Sequence, residues 1–410
     1  MSPAQWLVRL LSWLSLALAT SAAPAQVPLA TMATDASAPR IGVVTMTPGT
    51  DYWARFGHDA IVVSDPVSGQ QLSYNYGYFD FDQPGFFARF LRGKMLYRLV
   101  VVPLDQDLAS YAAEGRGASL QWLNLTPAQA RAVAQYLNWN ALPENADYHY
   151  DYFTANCSTK VRDVLDRALD GDLKRQLSGR SHGLSYRSEA LRLADGVWWM
   201  YLGMHVALSD SADKPLSLWQ EAFVPRRLAD ALDETRASDG RLLVSARAQL
   251  LPDRLGLEAE SPTRLRGLFI ALGVMLALAL GFLLRSTAGT SQRRLGTVLS
   301  MSFWLLCGSG GLVLLGVWLL TSHTAGWGNE NLLLLNPLCL ALLPALPSLA
   351  RGRDVGTLLR VLTWLILAAT AFALFLRFLP FRLQDNTDFI VLLLPAHIVL
   401  AWRLLGRKPS

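Results

Sequence analysis

Cysteine is scarce in this chain of 410 residues, which contains only three. Two of them, Cys307 and Cys339, lie in the apolar C-terminal part, so Cys157 is the only cysteine before it. A lone cysteine cannot form a disulfide within its own domain, and no second cysteine or close pair of histidines supplies the ligands of a zinc site. The sequence therefore predicts no structural disulfide for this part, no metal and no other cofactor.

Clustered positive charge is also lacking. The net charge is +5, but it reflects basic residues that flank the apolar C-terminal segments, and nucleic-acid binding needs a clustered basic face. The chain also has no evident internal repeat and no low-complexity tract. The net charge is therefore no argument for a nucleic-acid-binding protein.

The N-terminus has the features of a secretory signal. Arg9 provides positive charge, residues 10–19 are apolar, and small residues at 23–25 form a cleavage pattern. We expect residues 1–25 to be a signal peptide and residues 26–262 to be exported; an uncleaved anchor is the alternative. Thiols normally pair in an oxidising compartment, so the unpaired Cys157 indicates reactivity or intermolecular pairing.

Five apolar stretches follow, at residues 265–284, 295–320, 332–349, 359–379 and 389–402. Most reach the roughly twenty residues that cross a bilayer core, and prolines in the third predict a kink. By the positive-inside rule, the basic segments between them are cytoplasmic, and loops 321–331 and 381–388 face the periplasm. We predict a transmembrane domain of about five helices at residues 263–410, with four spans as the alternative.

The exported part is long enough for a full enzyme core. Strands are expected at residues 41–46, 60–64, 71–78 and 95–104. Thr126, Pro127 and Gln129 have the spacing of a capping box, which predicts a helix to about residue 140. The expected fold is an α+β domain followed by an all-α membrane bundle.

Cys157 is expected to open the next helix, because apolar residues follow it at helical spacing: Val161, Val164, Leu165, Ala168 and Leu169. Free backbone N–H groups and the helix dipole at this end favour a thiolate, the nucleophilic form of cysteine. A small buried hydrophobic residue is the alternative role for a lone cysteine. Asn156 caps the helix in the preferred interpretation and orients neighbouring groups in the other.

A nucleophilic cysteine needs a base, and histidine is the usual one. His58, which opens the strand at 60–64, is preferred over His149, His182 and His205. From spacing alone, a structural hydrogen-bonding role for His58 is equally acceptable. Asp59 would point to the opposite strand face, so it is a poor candidate for orienting the imidazole. The third member of a triad is not identifiable from spacing.

Several motifs resemble those of the Lnb-type periplasmic domain family. They are FGHDAI at 56–61, NYGYFDF at 75–81 with Phe90 and Gly93, YDYFTANCST at 150–159, WMYLG at 199–203, DKPL at 213–216 and FVP at 223–225. The resemblance covers most of the exported domain in the right order. It extends into the membrane loop HTAGWGNEN at 323–331, with the Asn-Pro pair at 336–337 beyond it. One departure is Ser158, where the family often has threonine.

The Lnb-type family is similar to NlpC-type papain-like thiol enzymes in permuted order, with the histidine strand before the cysteine helix. The resemblance therefore implies a permuted papain-like (NlpC-like) fold with Cys157 as nucleophile and His58 as base. It further implies a cysteine-dependent acyltransferase of the bacterial inner membrane, with its catalytic domain in the periplasm. A phospholipid would donate the acyl group and the N-terminal amine of a lipoprotein would accept it.

The same motifs supply further candidate residues. Those expected to support the site are Asn156, Tyr150, Thr159 and Asp213, and those expected to contact substrate from the membrane loop are His323, Asn329 and Asn331. The aromatic run at 74–90 fits an acyl-chain wall, and ordinary core packing explains it equally well. The apolar segment at 198–208 is preferred as an interior helix, with a membrane-surface element as the alternative.

Two other functions are compatible with these patterns. One is a thiol amidase or peptidase that acts on cell-wall peptides with water as acceptor, and it would have little need of the membrane bundle. The other is a non-enzymatic membrane receptor or scaffold with a degenerate thiol fold.

Overall fold

The computed structural model describes residues 37–406, and the expected signal peptide at 1–25 lies outside them. The strands in the described range are β1 Arg40–Met46, β2 His58–Ser64, β3 Gln71–Tyr78, β4 Leu96–Pro103, β5 Ala118–Leu123, β6 Asp147–His149 and β7 Val244–Leu251. They form one antiparallel sheet in the order β6-β4-β3-β2-β1-β5-β7. The four strands predicted from the sequence are confirmed; β5, β6 and β7 were not predicted.

Helices cover both faces of this sheet. Those of the exported part are α1 Phe86–Arg92, α2 Leu104–Glu114, α3 Pro127–Asn140, α4 Cys157–Ala168, α5 Asp172–Ser178, α6 Tyr186–Leu193, α7 Trp198–Ala207, α8 Leu218–Glu221 and α9 Pro225–Glu234. The capping box predicted at Thr126 is present and starts α3. The α+β class and the helices expected at 127–140 and from Cys157 are thus confirmed.

Alternation along the strands divides the core in two. Val43 and Ile61 face the larger core, which α3 and α4 complete. Val44 and Val62 point to the other face and pack with Leu104 at the start of α2. Strand β2 lies at the centre of the sheet and begins at His58, so packing on both faces of the sheet fixes the strand that carries this residue.

The C-terminal part contains five segments that are long and apolar enough to cross a membrane, counted over residues 37–406. They are α10 Arg266–Leu283, α11 Thr290–Leu320, the segment Glu330–Arg351, α13 Thr357–Leu376 and α14 Thr387–Leu405. This confirms the prediction of about five spans. The third consists of 3-10 turns at Glu330–Leu333 and Pro337–Ala345 followed by α12 Leu346–Arg351. Its prolines remove backbone donors, which explains why a regular helix does not form throughout.

Two loop asparagines connect the third membrane segment to the exported part. Asn329 Nδ2 donates to the carbonyl oxygens of Val206 and Ala207 at 2.9 Å each. Asn331 Nδ2 donates to the Val206 carbonyl at 2.9 Å. The last carbonyls of a helix have no partners within it, so these amides satisfy the C-terminal end of α7.

An ionic group centred on the buried Asp388 joins the same parts of the molecule. The Asp388 carboxylate of α14 lies 2.8 Å from Arg266 Nε of α10 and 3.3 Å from His205 Nε2 of α7. Asp213 accepts from Arg187 Nε at 2.7 Å and from the backbone N–H of Asp385 at 3.1 Å. The contacts of α7 therefore fix the exported domain to the membrane helices.

Candidate active site

Cys157 is the first residue of α4, as the sequence predicts. Asn156 Oδ1 accepts from the Thr159 backbone N–H at 2.9 Å, and Thr159 Oγ1 accepts from the Asn156 N–H at 2.8 Å. Asn156 Nδ2 also donates to the Tyr152 and Phe223 carbonyls, at 3.0 and 2.8 Å. Asn156 is therefore the helix cap, and this reciprocal pair holds the thiol-bearing turn in position.

His58 is oriented by an asparagine that spacing did not identify. His58 Nε2 lies 2.9 Å from Asn75 Oδ1 on the neighbouring strand β3. Asn75 Nδ2 donates to Asp107 Oδ2 at 3.0 Å, and Ser73 Oγ donates to the same oxygen at 2.6 Å. A carboxylate accepts only, so the amide nitrogen of Asn75 faces Asp107 and its oxygen faces the imidazole.

This network determines which imidazole nitrogen is available for chemistry. Since Asn75 Oδ1 can only accept, His58 must donate from Nε2. The neutral ring then carries its lone pair on Nδ1, which can accept a proton. Tyr111 stacks on the imidazole with ring centroids 6.3 Å apart, so the ring plane is held as well.

The nucleophile and the base converge on Gly77, where the missing side chain leaves room for about one methyl group; we call this space the Gly77 opening. The register of β3 with β4 shifts between Tyr76 and Tyr78, and Gly77 has a φ of +104°, a conformation that other residues rarely adopt. A Cβ placed on Gly77 would lie 3.7 Å from Cys157 Cβ and 4.0 Å from His58 Cε1. Within the described residues no hydrogen bond joins the two side chains, which is common before a substrate binds.

Burial shifts the pKa values of both Cys157 and His58 towards their neutral forms. Loss of solvation, and secondly the nearby Asp59, raise the pKa of the Cys157 thiol to about 12, against the opposing effect of backbone N–H groups. Loss of solvation also lowers the pKa of His58 to about 4, although its bond to Asn75 acts to raise it. The backbone N–H groups do act to lower the pKa of Cys157, as expected, but burial outweighs them, so the thiol is the favoured form in this state.

Asp59 lies away from the imidazole, as expected for its strand position. Thr45 Oγ1 donates to Asp59 Oδ1 at 2.7 Å, and the residue is fully buried. Burial raises the pKa of Asp59 to about 6. The residue that contacts the His58 ring nitrogen is Asn75 and not its sequence neighbour.

An aromatic belt runs past the thiol. We use this name for Trp199, Tyr52, Trp53, Phe81, Phe79, Tyr97, Tyr150 and Tyr152, taken in spatial order. Centroids of neighbouring rings are 4.2 to 6.1 Å apart. Burial, and secondly the nearby Cys157, raise the pKa of Tyr150 well above its usual value. Trp53 and Phe81 are half exposed, at 50% and 54%.

The belt reaches the membrane part of the molecule. Tyr152 stacks on His323, with centroids 6.0 Å apart, three residues after α11 ends. His323 Nε2 donates to the Phe90 carbonyl at 3.0 Å, and the Ser322 N–H donates to the Arg92 carbonyl at 2.8 Å. Helix α1 is thus docked on the loop that follows a membrane helix, with Phe87 and other apolar side chains exposed.

The other predicted residues are dispersed. Thr159 belongs to the cap of α4, and Tyr150 to the belt beside the thiol. Asp213 pairs with Arg187 at the contact with the membrane part, away from the thiol. Asn329 and Asn331 are buried and bonded to α7, so of the three loop residues only His323 touches the belt. Substrate contact by this loop stays a prediction.

Two of the three other histidines considered as the base, His182 and His205, bond to acidic side chains. His182 Nδ1 lies 2.6 Å from Glu221 Oε2, and His205 contacts Asp388. His149 ends β6, where it pairs in register with Leu96. The structure brings His58, and none of these, to the Gly77 opening together with Cys157.

Sequence reasoning did not assign roles to Asn75, Gly77 and Asp107. Asn75 and Gly77 stand in the NYGYFDF motif, so the motif contained a signal that spacing could not interpret. Asp107 carries no sequence signal, because its role depends on how α2 packs on the sheet.

Two family models match the chain. The Lnb N-terminal periplasmic domain matches residues 26–188, and the Lnb transmembrane domain matches residues 265–408. Comparisons with curated proteins and with solved structures gave no match. The two matches agree with an α+β domain followed by five candidate membrane helices. The chain therefore belongs to the Lnb family, as a multi-pass membrane protein with a periplasmic domain.

Proposed function

We propose that this protein transfers an acyl group from a phospholipid to the N-terminal amine of a lipoprotein, through a thioester on Cys157. The observation that carries the proposal is the convergence of Cys157 and His58 on the Gly77 opening. The proposal includes a periplasmic domain at residues 26–262 after a signal peptide, and a membrane domain at residues 263–410 in the inner membrane.

In the first half-reaction, His58 Nδ1 takes the proton of the Cys157 thiol as Sγ attacks the ester carbonyl carbon. The carbonyl electrons move onto oxygen, and collapse of this intermediate expels the glycerol oxygen, which receives the proton from His58. The products are a thioester and a lysophospholipid. Asn75 is the positioning residue, since it holds the Nε2 proton and leaves Nδ1 to act.

In the second half-reaction, the neutral amine of the acceptor attacks the thioester carbonyl. Its proton passes to His58 and then to the departing sulfur, so the amide forms and the thiol is restored. A covalent intermediate divides one difficult transfer into two easier steps, and it predicts ping-pong kinetics.

The aromatic belt supports a lipid as the acyl donor. Its rings extend from the thiol to the membrane loop and offer an apolar surface with exposed faces. Helix α1 and its exposed Phe87 sit beside the end of a membrane helix. Aromatic side chains favour the boundary between lipid and water, so a phospholipid chain could follow this surface to Cys157.

Mass spectrometry of lipoprotein N-termini tests the function in cells. We expect N-acylated termini with the wild-type protein and their loss with Cys157→Ala. Cys307→Ala is the matched control, because it removes a buried thiol in the membrane part, and it should retain N-acylation. Full N-acylation in cells that carry only Cys157→Ala would rule out the proposal.

A further inference from the structure

One buried hydroxyl near the reaction centre lacks a partner. Tyr148 Oη is buried, and among residues 37–406 nothing forms a hydrogen bond with it. An unpaired buried hydroxyl costs about 1–3 kcal/mol, so proteins usually satisfy such groups. The unpaired hydroxyl of Tyr148 therefore indicates that a bound ligand supplies its hydrogen-bond partner.

The same hydroxyl points at the Gly77 opening. A Cβ placed on Gly77 would lie 4.0 Å from Tyr148 Oη, 4.0 Å from His58 Cε1 and 3.7 Å from Cys157 Cβ. Three chemically distinct groups therefore lie close together around Gly77. If the proposed thiol chemistry holds, the carbonyl attacked by Cys157 must lie within reach of Sγ and so beside these groups.

The ring of Tyr148 is held in place. Strand β6 pairs Tyr148 with Tyr97 of β4. Lys160 Nζ of the cysteine helix lies 4.7 Å from the ring centroid, and Tyr76 packs edge-on at 5.9 Å. Burial also raises the pKa of Tyr148 well above its usual value, so the phenol stays protonated and can only donate or accept as a neutral group.

We propose that Tyr148 is a catalytic residue whose hydroxyl donates a hydrogen bond to the carbonyl oxygen when Cys157 attacks. This inference rests on the proposed function. As the C–S bond forms, the π electrons of the carbonyl move onto oxygen, and the donor stabilises that negative charge; when the leaving oxygen departs, the carbonyl is restored. A fixed donor aimed at developing charge is among the largest contributions an enzyme site makes.

The test compares two tyrosines in the full-length protein with phospholipid as acyl donor. Tyr148→Phe removes the unpartnered hydroxyl, and Tyr76→Phe removes one that donates to Asn140 Oδ1 at 2.6 Å. We expect Tyr148→Phe to slow formation of the acyl-enzyme by about 10²–10³-fold, the cost of losing one such donor. Tyr76→Phe should stay within about threefold of the wild type.

A second readout separates this role from a structural one and from stabilisation of the thiolate. The rate of alkylation of Cys157 by iodoacetamide, measured against pH, should be the same in Tyr148→Phe and wild type. A parallel shift of that profile, equal slowing by both variants, or an unchanged acylation rate in Tyr148→Phe would each overturn the inference. Absence of any acyl-enzyme in the wild type would instead count against the proposed function itself.

Discussion

Burial holds the Cys157 thiol and the His58 imidazole in their neutral forms. The pKa of the first is raised to about 12 and the pKa of the second is lowered to about 4. Between those values neither group carries charge, so the resting site is not an ion pair. The proton must therefore move to His58 during attack and not before it, which makes the position of Nδ1 decisive.

Asn75→Ala tests the orientation of His58. The variant should lose about 10²-fold in kcat, because the ring is no longer fixed and misplacement by about 1 Å has this effect. The bond to Asn75 acts to raise the pKa of His58, so its loss should move the acid limb of the pH–rate profile to lower pH, from near pH 4. Rates from pH 3 to 8 would show both effects.

Ser73→Ala is the control for Asn75→Ala. It removes one donor to Asp107 and one acceptor of Asn75 Nδ2, but it leaves the bond between Asn75 and Asp107 and the bond between Asn75 and His58 in place. Its kcat should remain within about threefold of the wild type. An acid limb that moves upward in Asn75→Ala, or a kcat equal to that of Ser73→Ala, would refute the role given to Asn75.

The candidate pair itself was predictable from residues. Cys157 stood alone before the membrane part and opened a helix, and the family motif selected His58 among the histidines. Asn75 was not predictable, because its role requires β3 to pair beside β2 with Asn75 opposite Ala60. The net charge state of Cys157 was not predictable, because the helix end favours the thiolate but the sequence does not report how much solvent the thiol loses.

At the scale of elements, the bulge in β3 is the feature that opens the site. The sequence predicted β3 at its observed limits. It did not predict the register shift at Gly77, because the shift leaves no mark on the pattern of apolar and polar residues. Helix α1 was not predicted either, because it spans only seven residues between Gly85 and Gly93 and buries none of its side chains. Strand β7 lacks a clean alternation of buried and exposed residues, as all of its residues are at least partly exposed.

Gly77→Ala tests the bulge. Alanine at a φ of +104° should destabilise the protein by about 1–2 kcal/mol, and its Cβ would enter the space between Cys157 and His58. We expect at least about 10²-fold slower acylation. Gly69→Ala is the matched control, since Gly69 also has a positive φ, at +72°, but has nothing within 4 Å of an added Cβ.

The two glycine variants separate strain from blockage. Gly69→Ala should lower the thermal midpoint by a similar amount and keep its acylation rate. If Gly77→Ala were equally active at the same loss of stability, the opening would have no part in the reaction.

At the scale of the whole molecule, the contact between the two parts could not be read from the sequence. Length and hydropathy were sufficient to predict five spans, because a bilayer imposes a minimum apolar length. The contacts of Asn329 with α7 join residues more than 120 positions apart, and local patterns carry no information on such pairs. The loop predicted to contact substrate also bonds to the C-terminal end of α7 through Asn329 and Asn331.

This arrangement links the candidate site to the membrane part of the molecule. The thiol, the aromatic belt and helix α1 are all linked to the membrane loop through Tyr152, His323 and Ser322. Donor and acceptor in the proposed reaction are both anchored in lipid, so a site held at the membrane surface confines enzyme and substrates to one layer.

The most direct test is the intact mass of the full-length protein after brief incubation with a phospholipid of defined acyl chains and no acceptor. The account predicts a mass increase of one acyl group, located on Cys157, removed by neutral hydroxylamine and absent from Cys157→Ala. A wild-type protein that gains no acyl group, or an adduct that persists in Cys157→Ala, would contradict it.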